Sequence, residues 1–308
     1  MKHGLVFFAT AAMLFATCAT AQTTRNRNRN NLNINTQGDA NSCADLKVTS
    51  TGELSQVNET VNLQHGEAPV LELNAADHGV VKVRGWKQPG YSVEACKVGV
   101  AEDRGTADTL VRGISVSHSA GRFSYTGPTT DNGNWQVFFI IHAPDNASLD
   151  LETKNAPVSI ADVNGNIKVR ATNGPLAIRG SAGNIDAQTT NGPISFDGDG
   201  GEVHLQAQNG PISVKVGKEI WNGTALEART VNGPLSLSLP DTFQSGIRVE
   251  TAGGSPLSCK HDACTHAYTN NTGDQHVIQM NGSSETVRIS THNGPLSVNG
   301  TSKAKKIL

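Results

Sequence analysis

Residues 155–214 read NAPVSIADVNGNIKVRATNGPLAIRGSAGNIDAQTTNGPISFDGDGGEVHLQAQNGPISV, and the fold turns on this stretch. The strings NAPVSI from Asn155, NGPLAI from Asn173, NGPISF from Asn191 and NGPISV from Asn209 begin 18 residues apart. A fifth copy, NGPLSL, starts at Asn232 after an interval of 23, a degenerate one is Gly254-Ser255-Pro256-Leu257, and NGPLSV returns at Asn293. Midway through the units runs a weaker echo: Gly165-Asn166-Ile167-Lys168-Val169, Gly183-Asn184-Ile185-Asp186-Ala187 and Gly201-Glu202-Val203-His204-Leu205. Each unit therefore holds two short strands and two turns, and self-similarity at a fixed period marks a repeat architecture.

Within the strands apolar and polar residues alternate, as in Ile167 and Val169, Leu176 and Ile178, Ile194 and Phe196, and Leu235, Leu237 and Leu239. Period two is the pattern of a strand with one buried face. Asn-Gly accepts the positive φ angles of a tight turn, and the proline that follows suits the first position of a strand. The expectation is an all-β protein, a single-stranded parallel β-helix or β-solenoid with rungs of about 18 residues and two strands each. Equal residues would then stack, so that Asn173, Asn191, Asn209, Asn232 and Asn293 form a structural ladder at the turns. The competing fold is an antiparallel meander or sandwich, since Asn-Gly also closes hairpins. One unit cannot bury a core alone, so the repeat must be serial.

Outward from the repeat, residues 146–300 are assigned to the regular solenoid. Residues 43–145 carry less regular strands, Val70–Leu73, Gly79–Val83, Tyr91–Ala95 and Trp135–His142, and are assigned to irregular N-terminal rungs or a cap. Residues 301–308 form a basic tail. At the start, Lys2 and His3, the apolar run Leu5 to Ala16 and the small-x-small site Ala19-Thr20-Ala21 read as a signal peptide over residues 1–21. The run is short of the roughly 20 residues a membrane anchor needs. A lipoprotein would use Cys18, but Thr17 precedes it where a smaller residue is usual. Residues 22–42, with Arg25, Arg27 and Arg29, read as a disordered polar linker.

The chain has 308 residues, 25 Lys and Arg against 27 Asp and Glu, and a net charge of -2, which excludes a global field that would draw it to nucleic acid. No transmembrane segment is expected in the mature chain. Removing the signal leaves Cys43, Cys96, Cys259 and Cys264, an even number suited to an oxidising compartment. Four cysteines permit three connectivities; proximity in sequence favours Cys259–Cys264, which leaves Cys43–Cys96.

The segment Gly79-Val80-Val81-Lys82-Val83-Arg84-Gly85-Trp86, His142-Ala143-Pro144 before Leu149-Asp150-Leu151, and the Asn-Gly-Pro units resemble the bacterial putative-adhesin domain built from β-strand repeats, related in style to auto-transporter adhesin heads. The resemblance covers roughly residues 60–300. It implies an exported module, and it carries no catalytic residue.

No catalytic residue, metal site or cofactor is assigned. Aligned repeats place Lys168, Asp186 and His204 in one outward column and Arg170, Gln188 and Gln206 in the next, with Asp197 and Asp199 in a nearby turn. Glycoside chemistry needs a carboxylate pair, and these columns are mixed. The string from Cys259 to His266 offers two cysteines and two histidines to zinc, but its spacing fits no standard zinc motif. Three insertions break the repeat, at Gly127–Trp135, Lys218–Thr224 and Cys259–His266, and Trp135 and Trp221 within them are the candidate binding residues because exposed aromatics stack on sugars or peptides. The functional expectation is a non-enzymatic adhesin or binding module in the periplasm, on the outer surface or outside the cell. Its partner would be an envelope polysaccharide or a surface protein. The alternatives are a carbohydrate-active β-helix enzyme, a lyase or hydrolase, and a purely structural envelope protein.

Overall fold

A computed structural model describes residues 32–35, 40–75, 79–282 and 284–301; the signal, Cys18, the linker up to residue 31 and the tail beyond residue 301 lie outside the described residues. Strands β1 (Leu32–Asn35) and β2 (Lys47–Ser50) form a separate antiparallel pair. Strands β3 (Glu53–Gln64), β4 (Val70–Ala75), β5 (Gly79–Trp86) and β6 (Gly90–Ala101) precede helix α1 (Arg104–Arg112), and β7 (Ser115–Ser119), β8 (Arg122–Thr126) and β9 (Gly133–Pro144) follow it. The repeat supplies β10 (Ser148–Thr153), β11 (Val158–Ala161), β12 (Asn166–Ala171), β13 (Leu176–Arg179), β14 (Asn184–Thr189), β15 (Ile194–Asp197), β16 (Gly200–Ala207) and β17 (Ile212–Lys215). Last come β18 (Asn222–Asn232), β19 (Leu235–Pro240), β20 (Gly246–Thr251), β21 (Leu257–Lys260), β22 (Tyr268–Thr272), β23 (Gln275–Met280), β24 (Glu285–Asn293) and β25 (Leu296–Thr301).

These strands make two large mixed sheets of 12 and 11 strands, neither of which closes on itself. From β10 to β19 the chain alternates between the sheets, and each strand pairs in parallel with the strand two further on. Ile167 thus faces Ile185, which faces Val203, and on the other sheet Leu176 faces Ile194, which faces Ile212. Their side chains point between the sheets, all at 2% exposure or less, in one core that runs from Ala68 to Val298.

The Asn-Gly-Pro corner works differently from a hairpin turn. The asparagines, and Gly174, Gly192, Gly210 and Gly233, do not have positive φ. The glycine is required because a Cβ at Gly192 would lie 2.2 Å from the Gly174 carbonyl oxygen one rung away, with matching approaches of 2.1 Å at Gly174 and 2.2 Å at Gly210. At the Asn191 corner each backbone donor has a partner. The Asn191 N–H donates to Thr172 O of the neighbouring rung at 2.7 Å, Gly192 N–H donates to Thr189 Oγ1 at 3.0 Å, proline has no N–H, and Ile194 N–H donates to Pro211 O at 2.9 Å.

Strand order departs from sequence order at both ends. Strands β4 and β5 pair in parallel with β10 and β11 on one side and with β8 and β9 on the other. At the far end β24 inserts between β18 and β20, and β25 between β19 and β21. Asn293 therefore stacks on Asn232, and the degenerate Gly254–Leu257 unit lies beyond it.

The N-terminal part adds antiparallel strands and a helix that the repeat pattern does not announce. Asp103 caps α1 by accepting from Thr106 N–H at 2.9 Å, and the Thr106 hydroxyl with that backbone bond holds the Asp103 carboxyl below its usual range. Ala107, Leu110 and Val111 bury the helix on β3 and β6. Across the outer face of the 11-stranded sheet, Ala40, Cys43 and Leu46 cover Cys96, Phe138 and Ile140 in a second small core, stapled by the Cys43–Cys96 disulfide with its Cα atoms 5.5 Å apart.

Two outcomes follow from this packing. Gly192→Ala should lower the free energy of unfolding by about 1–3 kcal/mol, the range for overpacking a tight contact, read from urea denaturation. Cys43→Ser with Cys96→Ser should lower it by about 2–5 kcal/mol and raise hydrogen exchange in residues 40–50 while leaving the residue 148–240 core protected.

Candidate functional site

The core fixes only the inward half of each strand, and the outward half of the 12-stranded sheet forms aligned polar columns. Parallel register stacks Asp150, Lys168, Asp186, His204, Glu227 and Arg288 in one column. The next column holds Glu152, Arg170, Gln188, Gln206, Arg229 and Ser290. At the ends of these strands, next to the Asn-Gly-Pro corners in sequence, lies a shallow open groove of about 500 Å³. It is lined by Glu152, Arg170, Gln188 and Gln206 together with Thr172, Thr190 and Gln208. Separate smaller hollows lie beside Arg229, Ser290 and His292 and beside Glu227, Arg248 and Arg288.

The charges of the first column, beside the groove, are largely matched in place. Asp150 forms ion pairs with Arg170 Nη1 at 3.6 Å and with Lys168 Nζ at 3.9 Å. His204 sits with Nδ1 3.3 Å from Glu227 and Nε2 3.4 Å from Glu202, and Arg288 Nη1 approaches Glu227 at 3.4 Å. Gln188 donates to Asp186 Oδ1 at 3.0 Å. Such exposed pairs contribute about 1 kcal/mol or less each. Their effect is to cancel repulsion between strands about 4.8 Å apart and to leave a surface of amides, hydroxyls and paired ions.

The corner beside the groove is rigid. Asn173 Nδ2 donates to Asn155 Oδ1 at 2.7 Å, Asn191 to Asn173 at 2.8 Å, Asn209 to Asn191 at 3.0 Å, Asn232 to Asn209 at 2.8 Å and Asn293 to Asn232 at 2.9 Å. Beneath them Thr230 and Thr291, both buried, donate to the Gly210 and Gly233 carbonyls at 2.9 and 3.1 Å.

The two candidate tryptophans are elsewhere. Trp135 and Trp221 are 8% and 3% exposed, so neither presents a ring face for stacking. Trp135 donates through Nε1 to Pro128 O and meets Tyr125 edge-on, and Trp221 donates to Gly201 O and packs near Phe196. Each fills the extra interior that an insertion creates. The partly exposed tryptophan is Trp86, stacked on His142 with ring centroids 5.1 Å apart, where burial and the neighbouring Arg84 push the His142 imidazole below its usual range.

Cys259 and Cys264 are joined, with Cα atoms 6.1 Å apart. His261 is buried between them in sequence, its Nε2 on Pro240 O at 2.8 Å and its Nδ1 accepting Ala263 N–H at 3.1 Å, so both ring nitrogens are occupied. Among the described residues no three or more His, Cys, Asp or Glu side chains converge as a metal cluster.

No family model matches this chain, and no curated protein matches it. Solved structures that it is similar to include a putative cell adhesion protein from Clostridium sporogenes, at 10% identity and a TM-score of 0.34 over 80% of this chain and 100% of that one. Others are a putative adhesin from Parabacteroides merdae, at 9% and 0.35 over 82% and 97%, and a putative lipid binding protein from Parabacteroides distasonis, at 10% and 0.35 over 79% and 96%. At these values the likeness bears on neither ligand nor activity.

The ladder generates a pH-dependent outcome. Asn191→Ala loses two exposed hydrogen bonds and should cost about 1–2 kcal/mol. Asn191→Asp should cost more at pH 7, because a carboxylate cannot donate to Asn173 Oδ1. Its folded pKa is thereby raised, so stability present at low pH is lost as pH rises through that value. Urea midpoints at pH 4 and pH 7 should show the two variants converging in acid and diverging at neutrality.

Proposed function

We propose that this chain is an exported, non-enzymatic binding module, a two-sheet β-solenoid with rungs of about 18 residues, whose polar groove attaches to an extended envelope polymer. The observation that carries this reading is the groove itself, a run of Arg170, Gln188 and Gln206 on successive strands beside Thr172, Thr190 and Gln208, with Arg229 next in the same column. A polymer lying along the stack meets similar hydrogen-bonding groups at each strand spacing of about 4.8 Å. Two disulfides favour an oxidising compartment, in the periplasm, on the outer surface or outside the cell. No helix among the described residues is long and apolar enough to cross a membrane. The groove lining carries a single carboxylate, Glu152, where glycoside chemistry needs a pair.

The groove holds no aromatic platform, so affinity would come from hydrogen bonds repeated along the axis. A polysaccharide, with hydroxyls on every unit, fits this better than a protein surface. The test is a binding screen of residues 22–308 against polysaccharides and envelope fractions. Arg170→Ala with Gln188→Ala and Gln206→Ala should weaken the bound fraction about tenfold or more with an unchanged Tm. Ser195→Ala with Ser213→Ala, on the opposite sheet, should leave binding intact. Absence of any bound fraction, or equal binding by the groove variant, overturns the reading, and cleavage of a bound glycan moves it to a carbohydrate-active enzyme.

A further inference from the structure

The C-terminal end of the stack brings three sulfur atoms together from three segments. Cys259 lies on β21, the last strand of its sheet, Cys264 lies in the short 3-10 turn Asp262–His266, and Met280 ends β23. Met280 is 1% exposed, and its Sδ sits 3.9 Å from Cys259 Sγ and 3.7 Å from Cys264 Sγ. The two cysteines are only partly buried, whereas Cys43 and Cys96 are 1% and 0% exposed. Both nitrogens of His261 are held by backbone groups, so the neighbourhood offers sulfur donors and no imidazole from that residue. The turn keeps its own bonds, Cys264 N–H to His261 O at 3.0 Å and Ala267 N–H to Cys264 O at 3.3 Å, which would hold Cys264 in place once the disulfide opens.

We propose that Cys259, Cys264 and Met280 form a redox-gated site for a monovalent copper ion. In the gating step a thiolate of a dithiol reductant attacks one sulfur of the Cys259–Cys264 bond and forms a mixed disulfide. The reductant's second thiolate then displaces the protein sulfur, leaving the reductant as a disulfide and the protein with two thiols. Two electrons and two protons pass to the cysteines. Copper(I) displaces those two protons to solvent and takes two thiolates and the neutral Met280 thioether as a three-sulfur set. Soft thiolate and thioether donors select copper(I). Zinc fills a four-coordinate shell, and the occupied His261 ring withholds a nitrogen from it.

The test uses the full mature chain. Limited treatment with a dithiol followed by alkylation should label Cys259 and Cys264 before Cys43 and Cys96. The reduced protein should then withdraw one copper(I) ion per chain from a chromophoric copper(I) chelator, and the oxidised protein none. Met280→Leu keeps the buried volume and should weaken copper(I) retention about tenfold or more, while Cys259→Ser with Cys264→Ser should abolish it. X-ray absorption of the copper-loaded wild-type chain should count three sulfur neighbours, a readout that needs no variant to fold. The proposal fails if the reduced wild-type chain takes no copper(I) from the chelator, if two sulfurs are counted instead of three, or if Met280→Leu holds copper as tightly.

Discussion

The stack depends on one close approach. At each Asn-Gly-Pro corner the glycine Cα lies so near the preceding rung's carbonyl that a methyl group would sit within 2.1–2.3 Å of the oxygen at Gly174, Gly192, Gly210 and Gly233. Any larger residue would hold the corners apart, and the strands on either side could not keep their parallel hydrogen bonds. The flanking residues make that approach favourable. Asparagine bonds from rung to rung through both backbone and side chain, and proline brings no N–H to the corner. The buried threonines on β14, β18 and β24 then tie corner to core.

This explains which parts of the fold were legible in the sequence. Alternation in Ile167 and Val169 or Ile194 and Phe196 gives strands and an inward face, and the 18-residue interval aligns the columns that the parallel registers contain. The mechanism of the corner was not legible, because Asn-Gly serves a positive-φ hairpin equally well, and the atom that demands glycine belongs to a residue 18 positions away. The burial of Trp135 and Trp221 was illegible for a similar reason. An insertion reads as a surface loop, yet it also widens the rung locally, and Trp221 fills that width beside Phe196. Helix α1 did leave a signal, an Asp103 cap followed by Ala107, Leu110 and Val111 at helical spacing, but it is short and lies within a region dominated by strand patterns. The groove was half legible: the column of Arg170 follows from the repeat, whereas Thr172, Thr190 and Gln208 lie past or at the strand ends, where the period-two pattern stops.

The inverted order at the C-terminal end has a physical reason in the same corner. The unit from Asn293 carries asparagine, glycine and proline in full, so it can accept the rung ending at Asn232 and continue its side-chain ladder. The Gly254–Leu257 unit has no asparagine. Gly253 and Gly254 both take positive φ, and Ser255 substitutes a single side-chain oxygen, receiving Gly294 N–H and donating to His292 O. Such a unit pairs with the rung beneath it but offers no ladder to a further one. Placing it outermost keeps the complete corners together, and the antiparallel β22–β23 hairpin then ends the 12-stranded sheet without another parallel rung.

The outward face is governed by a weaker rule. Since the core dictates only alternate positions, the remaining residues are free except that parallel stacking sets each beside its counterparts at about 4.8 Å. A column of one charge would repel itself along its whole length, and the column from Asp150 to Arg288 relieves this by changing sign as it crosses the sheet. The long-range field largely cancels, which removes electrostatic steering as a means of finding a partner. What persists at short range is a pattern of donors and acceptors, fixed in spacing by the backbone and stiffened by the asparagine ladder. A single sugar or side chain would gain little from it. A chain-like ligand spanning several rungs engages the same modest contacts repeatedly, and each further contact is made at high effective concentration once the first is held.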